Sequence, residues 1–307
     1  MIAETVLPRA SIVVPIFIVE GSNQRIPIQS LPGVDRMSID VAIEAISKFQ
    51  DTGLRSACLF PVIEPTLRSL TASEAWNPHG LMATALRQIK QALPDMIIMA
   101  DVALDPYTSH GHDGLADANG TILNDETVAC LVKMALTQAD SGVDFIAPSD
   151  MMDGRVIALR QALDENGFHH VGIVAYSAKY ASALYGPFRD ALDVRLGFGD
   201  KRSYQMNPAN VREALLEAKL DEQEGADILL VKPALPYLDV IARLRAQTLK
   251  PIAAYHVSGE YAMVMAAHAN GWLDAREVFA EMLLSIRRAG ADLIFSYTPY
   301  AMYTARD

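Results

Sequence analysis

Eight short runs of aliphatic and β-branched residues recur along the chain, at residues 11–18, 55–61, 96–102, 143–148, 171–176, 226–232, 251–257 and 291–297. Segments of helical period separate them. In residues 124–139, Val128, Leu131, Val132, Ala135, Leu136 and Ala139 share one face, and Gly142 sits just beyond the end. Another segment opens at Asp274 with Glu277 three residues on, in the manner of a capping box. It buries Val278, Met282, Leu283 and Ile286 and stops at Gly290. A strand covered by helices on both faces has no solvent side, so it reads as a nearly continuous apolar run rather than an alternating one. Eight such strand–helix repeats predict an α/β fold, a closed (β/α)8 TIM barrel, in preference to an open doubly wound sheet. No Gly-x-Gly-x-x-Gly follows the first run, as a dinucleotide-binding sheet would require.

No linker, low-complexity tract or charge run interrupts the pattern, so residues 1–307 read as a single barrel domain, and 51% hydrophobic residues suffice for its core. Two connections are longer than closure demands, 20–38 and 103–124, as lids and binding loops are. The net charge of −11 argues against nucleic acid or an anionic membrane surface as partner. An acidic substrate would need local cations to override that field. Two cysteines, Cys58 and Cys130, exclude a disulfide framework and a cysteine-rich zinc site, and fit a reducing cytoplasm. The N-terminus lacks a basic leader region, and the apolar stretch 12–19 contains Pro15 and is too short to span a bilayer.

In barrels the reacting groups come from the C-terminal ends of the strands. Asp101 closes the third run, Ser149 and Asp150 follow the fourth, Lys179 the fifth, Lys232 the sixth, Ser258 the seventh, and Tyr297 the eighth. Polar residues are common where strands meet water, so the two lysines are the discriminating element. Most lysines at strand ends snorkel to solvent or pair with a carboxylate. These two have no acid beside them in the sequence and end successive apolar runs. At the rim of a dry site an ammonium loses hydration, its pKa falls, and the free amine becomes a nucleophile that forms Schiff bases with carbonyl compounds. Downstream, Gly197 and Gly199 permit a mobile flap, and Arg189 and Lys201 are candidates to clamp a carboxylate, with Arg202 left to solvent. Residues 101–114 mix aspartates with His110 and His112 at no recognised metal spacing and read as a polar lid. His169 and His170 precede the fifth run and belong at the opposite end of the barrel.

These motifs, in this order, resemble the porphobilinogen synthase (5-aminolevulinate dehydratase) family over nearly the whole chain. The matching stretches are 101–114, Ala147-Pro-Ser-Asp-Met-Met-Asp-Gly-Arg155, Ala175-Tyr-Ser-Ala-Lys-Tyr-Ala-Ser182, 185–190, Val231-Lys-Pro-Ala-Leu-Pro-Tyr-Leu-Asp239 and Val257-Ser-Gly-Glu-Tyr-Ala-Met263. The resemblance implies the asymmetric condensation of two 5-aminolevulinate molecules into porphobilinogen, on the route to haem and other tetrapyrroles. It implies that Lys232 holds the substrate that becomes the propionate side and Lys179 the one that becomes the acetate side. Arg189, Lys201 and Gln205 then match the residues that hold one carboxylate, and Ser258 and Tyr297 those that hold the other. Asp101, Ser149, Asp150 and Tyr185 match the polar lining, and Phe188 packs beside the propionate-side imine.

Zinc-dependent relatives carry three cysteines where this chain has Ala103, Asp105 and Asp113. Loss of thiolates implies no catalytic zinc, and leaves Mg²⁺, a monovalent ion or no metal. Glu217, with Asp221 one turn later, matches a second, allosteric Mg²⁺ position between subunits. Relatives have a longer N-terminal arm that wraps a neighbouring subunit; this chain starts after it, so a truncated arm is expected, with a homo-oligomer that is a dimer, a hexamer or the family's octamer. Two other readings stay open: a Schiff-base lyase of the class I aldolase kind, needing one lysine, and a catalytically silent relative kept for binding or assembly.

Overall fold

The computed structural model describes residues 2–302. Ten strands form one sheet: β1 (Ile12–Ile18), β2 (Arg25–Pro27), β3 (Asp35–Met37), β4 (Ser56–Pro61), β5 (Ile97–Val102), β6 (Phe145–Pro148), β7 (Gly172–Lys179), β8 (Ile228–Lys232), β9 (Ile252–His256) and β10 (Leu293–Ser296). All but β2 and β3 correspond to the eight apolar runs. These eight are parallel, each beside its successor, and β10 returns to β1 through Ile12↔Ile294 and Val13↔Phe295, which closes the barrel. Closure leaves the eight barrel strands without an unpaired edge, and every residue of β1 is buried.

Helices α1 (Ile39–Asp51), α2 (Leu81–Ala92), α3 (Asn124–Asp140), α4 (Arg155–Glu165), α5 (Gly186–Leu192), α6 (Arg212–Glu224), α7 (Leu238–Arg245), α8 (Ser258–Ala269), α9 (Ala275–Ala289) and α10 (Thr298–Met302) wrap the barrel. The periodicity that predicts α3 and α9 has its physical counterpart. On α3, Leu131 and Ala135 face the core; on α9, Leu283 and Ile286 do, while the Asp274 carboxylate accepts the Glu277 N–H at the N-cap. No helix among the described residues is long and apolar enough to cross a membrane.

Two features escaped the sequence pattern. The connection 20–38 folds back as an antiparallel hairpin, β2 with β3, laid along β1. Its strand Arg25–Pro27 is exposed throughout and so carries no apolar signal. Strand β7 also runs on beyond Tyr176, across a register shift between Ala175 and Ala178, to end at Lys179. Lys179 is therefore a strand residue, and its Cα partner across the β7–β8 ladder is Lys232.

At the C-terminal mouth the 103–124 connection locks against the glycine-bearing flap that follows β7. His112 places one ring nitrogen 2.9 Å from the Tyr204 hydroxyl and the other 2.9 Å from the Phe198 carbonyl, and its ring stacks on Phe198 at 4.4 Å. Gly111, at φ +73°, approaches so closely that a Cβ there would lie 2.6 Å from the Arg195 carbonyl. Residues 103–124 and the glycine-bearing flap thus act as one cover. His169 is exposed and lies with His170 at the other end of the barrel, ahead of β7.

Candidate active site

A cleft opens at the mouth beneath this cover. It is lined by nine of the twelve catalytic and substrate-binding candidates: Asp101, Ser149, Lys179, Tyr185, Phe188, Arg189, Lys201, Gln205 and Lys232. Asp105 and Asp113 complete the wall. Strand ends β5, β7 and β8 supply Asp101 and the two lysines, and α5 supplies Phe188 and Arg189.

Lys232 is 5% exposed. Burial, then the neighbouring Lys179 charge, pull its pKa down from 10.5 to about 7. At the ordinary value roughly one amine in 3,000 would be neutral at pH 7, whereas here about half are. Asp101 moves the other way, raised to about 7 by burial and by the Asp105 charge. One of its carboxyl oxygens has no protein partner. An amine and a carboxyl side by side that both change charge near neutrality can pass protons in either direction.

Lys179 corrects an expectation. The sequence places no acid beside it, yet the fold brings the Asp113 carboxylate to 3.9 Å, and the ammonium also donates to the Ser149 carbonyl. Asp113 is shared. Lys201, reaching in from the flap, lies 3.1 Å from Asp113 and 3.2 Å from Asp105. Burial opposes charge on Lys201, but the two carboxylates outweigh it and raise its pKa. Burial likewise opposes charge on Asp113, and Lys179 and Lys201 outweigh it and hold its pKa low. The clamp lysine thus already holds two carboxylates, in the arrangement an arriving substrate carboxylate would have to enter.

Three candidates stand outside the cleft. Asp150 is fully buried behind it, its carboxylate accepting the Met152 N–H at 2.7 Å and facing Arg155 Nε at 3.6 Å. Burial raises its pKa to about 6 despite Arg155. Ser258 opens α8, where its hydroxyl accepts the Phe188 N–H at 3.0 Å and donates to the Leu184 carbonyl at 3.3 Å. Tyr297 is buried, stacked on Phe17 and hydrogen-bonded to the Tyr255 hydroxyl at 3.2 Å. In this structure Ser258 holds α5 and Tyr297 holds Tyr255, and neither is among the residues that line the cleft. Tyr176 and Tyr255, absent from the sequence-based set, lie beside Lys232. Both sit inside apolar runs, where tyrosine reads as core.

The three positions that hold cysteine in zinc-dependent relatives do not fit a zinc ion here. Ala103 offers no donor, and Asp105 and Asp113 converge on the Lys201 ammonium. Among the described residues no group of three or more His, Cys, Asp or Glu is arranged to hold a metal. Glu217 lines a separate cleft of about 600 Å³ with Asp153 and Glu213, and Gln205 borders both clefts. Burial and the charges of Asp221 and Asp153 raise the Glu217 pKa.

Residues 1–305 match the family model described as delta-aminolevulinic acid dehydratase. The chloroplastic delta-aminolevulinic acid dehydratase of Physcomitrium patens is 54% identical over 295 residues, covering 96% of this chain and 68% of that protein. The delta-aminolevulinic acid dehydratase of Bradyrhizobium diazoefficiens is 52% identical over 298 residues, covering 97% and 84%. Among solved structures, delta-aminolevulinic acid dehydratase (porphobilinogen synthase) from Toxoplasma gondii ME49, in complex with the reaction product porphobilinogen, superposes with a TM-score of 0.96 at 46% identity, covering 98% of this chain and 86% of that one. Paired lysines at the mouth of a closed barrel, and agreement of this extent in both sequence and structure, lead to one conclusion: the chain belongs to the delta-aminolevulinic acid dehydratase family.

Proposed function

We propose that this enzyme condenses two molecules of 5-aminolevulinate into porphobilinogen by holding each as an imine, one on Lys232 and one on Lys179. The observation that carries the reading is the pairing of the two lysines across β7 and β8, which puts both amines on one face at one strand end. A class I aldolase chemistry needs one lysine and leaves the second unexplained.

Lys232 is the readier nucleophile, since about half of its amines are neutral at pH 7. It attacks the ketone carbon of the propionate-side substrate, and the carbonyl oxygen leaves as water once it has been protonated. Asp101 is the group within the cleft that holds or yields that proton near neutral pH. Lys179, turned toward Asp113 and Ser149, takes the acetate-side substrate. That substrate's carboxylate enters among Arg189, Lys201 and Gln205, with the Lys201 ammonium moving from Asp105 and Asp113 to the newcomer. Tyr185 and Phe188 shield the Lys232 side from water. Overall two molecules of 5-aminolevulinate give one porphobilinogen and two waters, with no redox change.

The active site works without zinc, its cationic role in the cleft being filled by Lys201. A bound Mg²⁺ near Glu217 would keep most of its water shell, as this small ion does, and would act from the second cleft, as would a monovalent cation. The enzyme acts as a homo-oligomer in a reducing, cytoplasmic setting, a reading supported by exposed Leu216 and Leu220 on α6 and by two buried, unbridged cysteines. Borohydride reduction in the presence of 5-aminolevulinate, followed by peptide mapping, tests the central claim: adducts on both Lys179 and Lys232 support it, and an adduct on one lysine alone overturns it.

A further inference from the structure

The Lys232 amine is ringed by aromatic faces. Its nitrogen lies 4.5 Å from the ring centre of Tyr255, 4.9 Å from Phe188, 5.1 Å from Tyr185 and 5.3 Å from Tyr176. Each ring is set by neighbours other than the lysine. The Tyr255 hydroxyl meets that of Tyr297, its ring lies 5.3 Å from Phe295, and the Tyr176 ring lies 6.5 Å from the same Phe295. Phe188 stands edge-on to Phe60 at 5.3 Å, and the Tyr185 hydroxyl donates to the Tyr180 carbonyl at 2.7 Å. The enclosure is therefore built before any substrate arrives.

An aromatic face attracts a cation within about 6 Å, more strongly where water is excluded. The nitrogen of Lys232 needs two charge states in turn: neutral to attack, then positive as the protonated imine that activates the neighbouring carbon. Burial and Lys179 favour the neutral amine. A carboxylate placed against the nitrogen would favour the charged imine too, but it can take the imine proton away. A ring face attracts positive charge and accepts no proton. Lys179 has the other arrangement, with the Asp113 carboxylate at 3.9 Å.

We infer that the four rings, with Tyr255 the principal member, form a π enclosure that stabilises the protonated imine on Lys232, which makes Tyr255 and Tyr176 further catalytic residues of this reaction. The inference rests on the imine chemistry proposed above. The step it assists is balanced: the neutral Lys232 amine, the ketone and one proton, yielded by the Asp101 carboxyl, give the protonated imine and one water, with one C=N bond formed and the C=O bond lost.

The test replaces Tyr255 with phenylalanine and then with mono-, di- and trifluorophenylalanine, which keep the ring's shape while withdrawing electron density from its face. Borohydride trapping of 5-aminolevulinate is measured at Lys232 and, in the same digest, at Lys179. The expected result is a stepwise fall in Lys232 trapping, about tenfold across the series, with Lys179 trapping unchanged. The same series at Phe188 gives an independent reading if the Tyr255 variants fold poorly. A flat series at both positions, or equal trapping in Tyr255→Leu and Tyr255→Phe, overturns the enclosure while leaving the imine reading standing. Absence of any Lys232 adduct in the unsubstituted protein overturns both.

Discussion

Replacing Lys179 with methionine should make Lys232 a stronger base. The two lysines are Cα partners on adjacent parallel strands, roughly 4.8 Å apart in the ladder, with side chains on the same face. With the two amines roughly 6–10 Å apart and an effective dielectric of about 20, their repulsion is about 2–3 kcal/mol, equivalent to about one to two pH units. Removing Lys179 also frees part of the Asp113 charge, which acts on Lys232 in the same direction. Burial remains the larger cause of the lowered pKa, so the Lys232 midpoint should rise from about 7 but stay short of 10.5. The assay is the initial rate of borohydride-trapped adduct at Lys232, read by peptide mass across the pH range. In the parent the rate should rise with pH and level off above about 7. In Lys179→Met the same curve should shift to higher pH by about one to two units. An unmoved or lowered midpoint would refute the idea that the paired lysines tune one another.

Lys232→Met should abolish pyrrole formation, and substantial residual turnover, measured as colorimetric porphobilinogen, would overturn its assignment. Lys201→Met leaves Asp105 buried without its cation and Asp113 with Lys179 alone, and should cost about 3 kcal/mol in urea unfolding; adding Asp105→Asn should recover part of that loss, and an additive double variant contradicts the shared pairing. A strong chelator should leave basal activity intact, whereas a loss that zinc alone restores contradicts the reading of Asp105 and Asp113. His256, buried and held neutral with a pKa of about 3, binds its proton only on unfolding. Between about pH 6.5 and 3 the unfolded chain carries the extra proton, so stability should fall with acid by up to about 1.4 kcal/mol per pH unit. His256→Gln should flatten that slope, as followed by denaturant midpoints.

The barrel was legible because parallel strands covered on both faces leave so plain a trace: each of the eight aliphatic runs became a staves-and-ladder strand within a few residues. The hairpin at Arg25–Pro27 was not legible, since an exposed three-residue strand has no apolar period to detect. Strand ends with a lysine, a serine or an aspartate could be marked as candidates from position alone, and four of them, Asp101, Ser149, Lys179 and Lys232, do meet in one cleft.

Sequence by itself determined the closed barrel and the two lysines at its catalytic end, because periodicity and strand order fix which end each residue reaches. Only the tertiary structure decided what each group faces. Asp113 and Lys179 are 66 positions apart in the sequence, yet the loop returns the acid to within 3.9 Å of the amine. Ser258 and Tyr297 look free in the sequence but are engaged by Phe188, Leu184 and Tyr255. Tyr176 and Tyr255 read as core and prove to border the reacting nitrogen. Local pattern records how a residue's own segment is buried, whereas charge, hydration and basicity depend on whatever distant segments the closed barrel brings alongside.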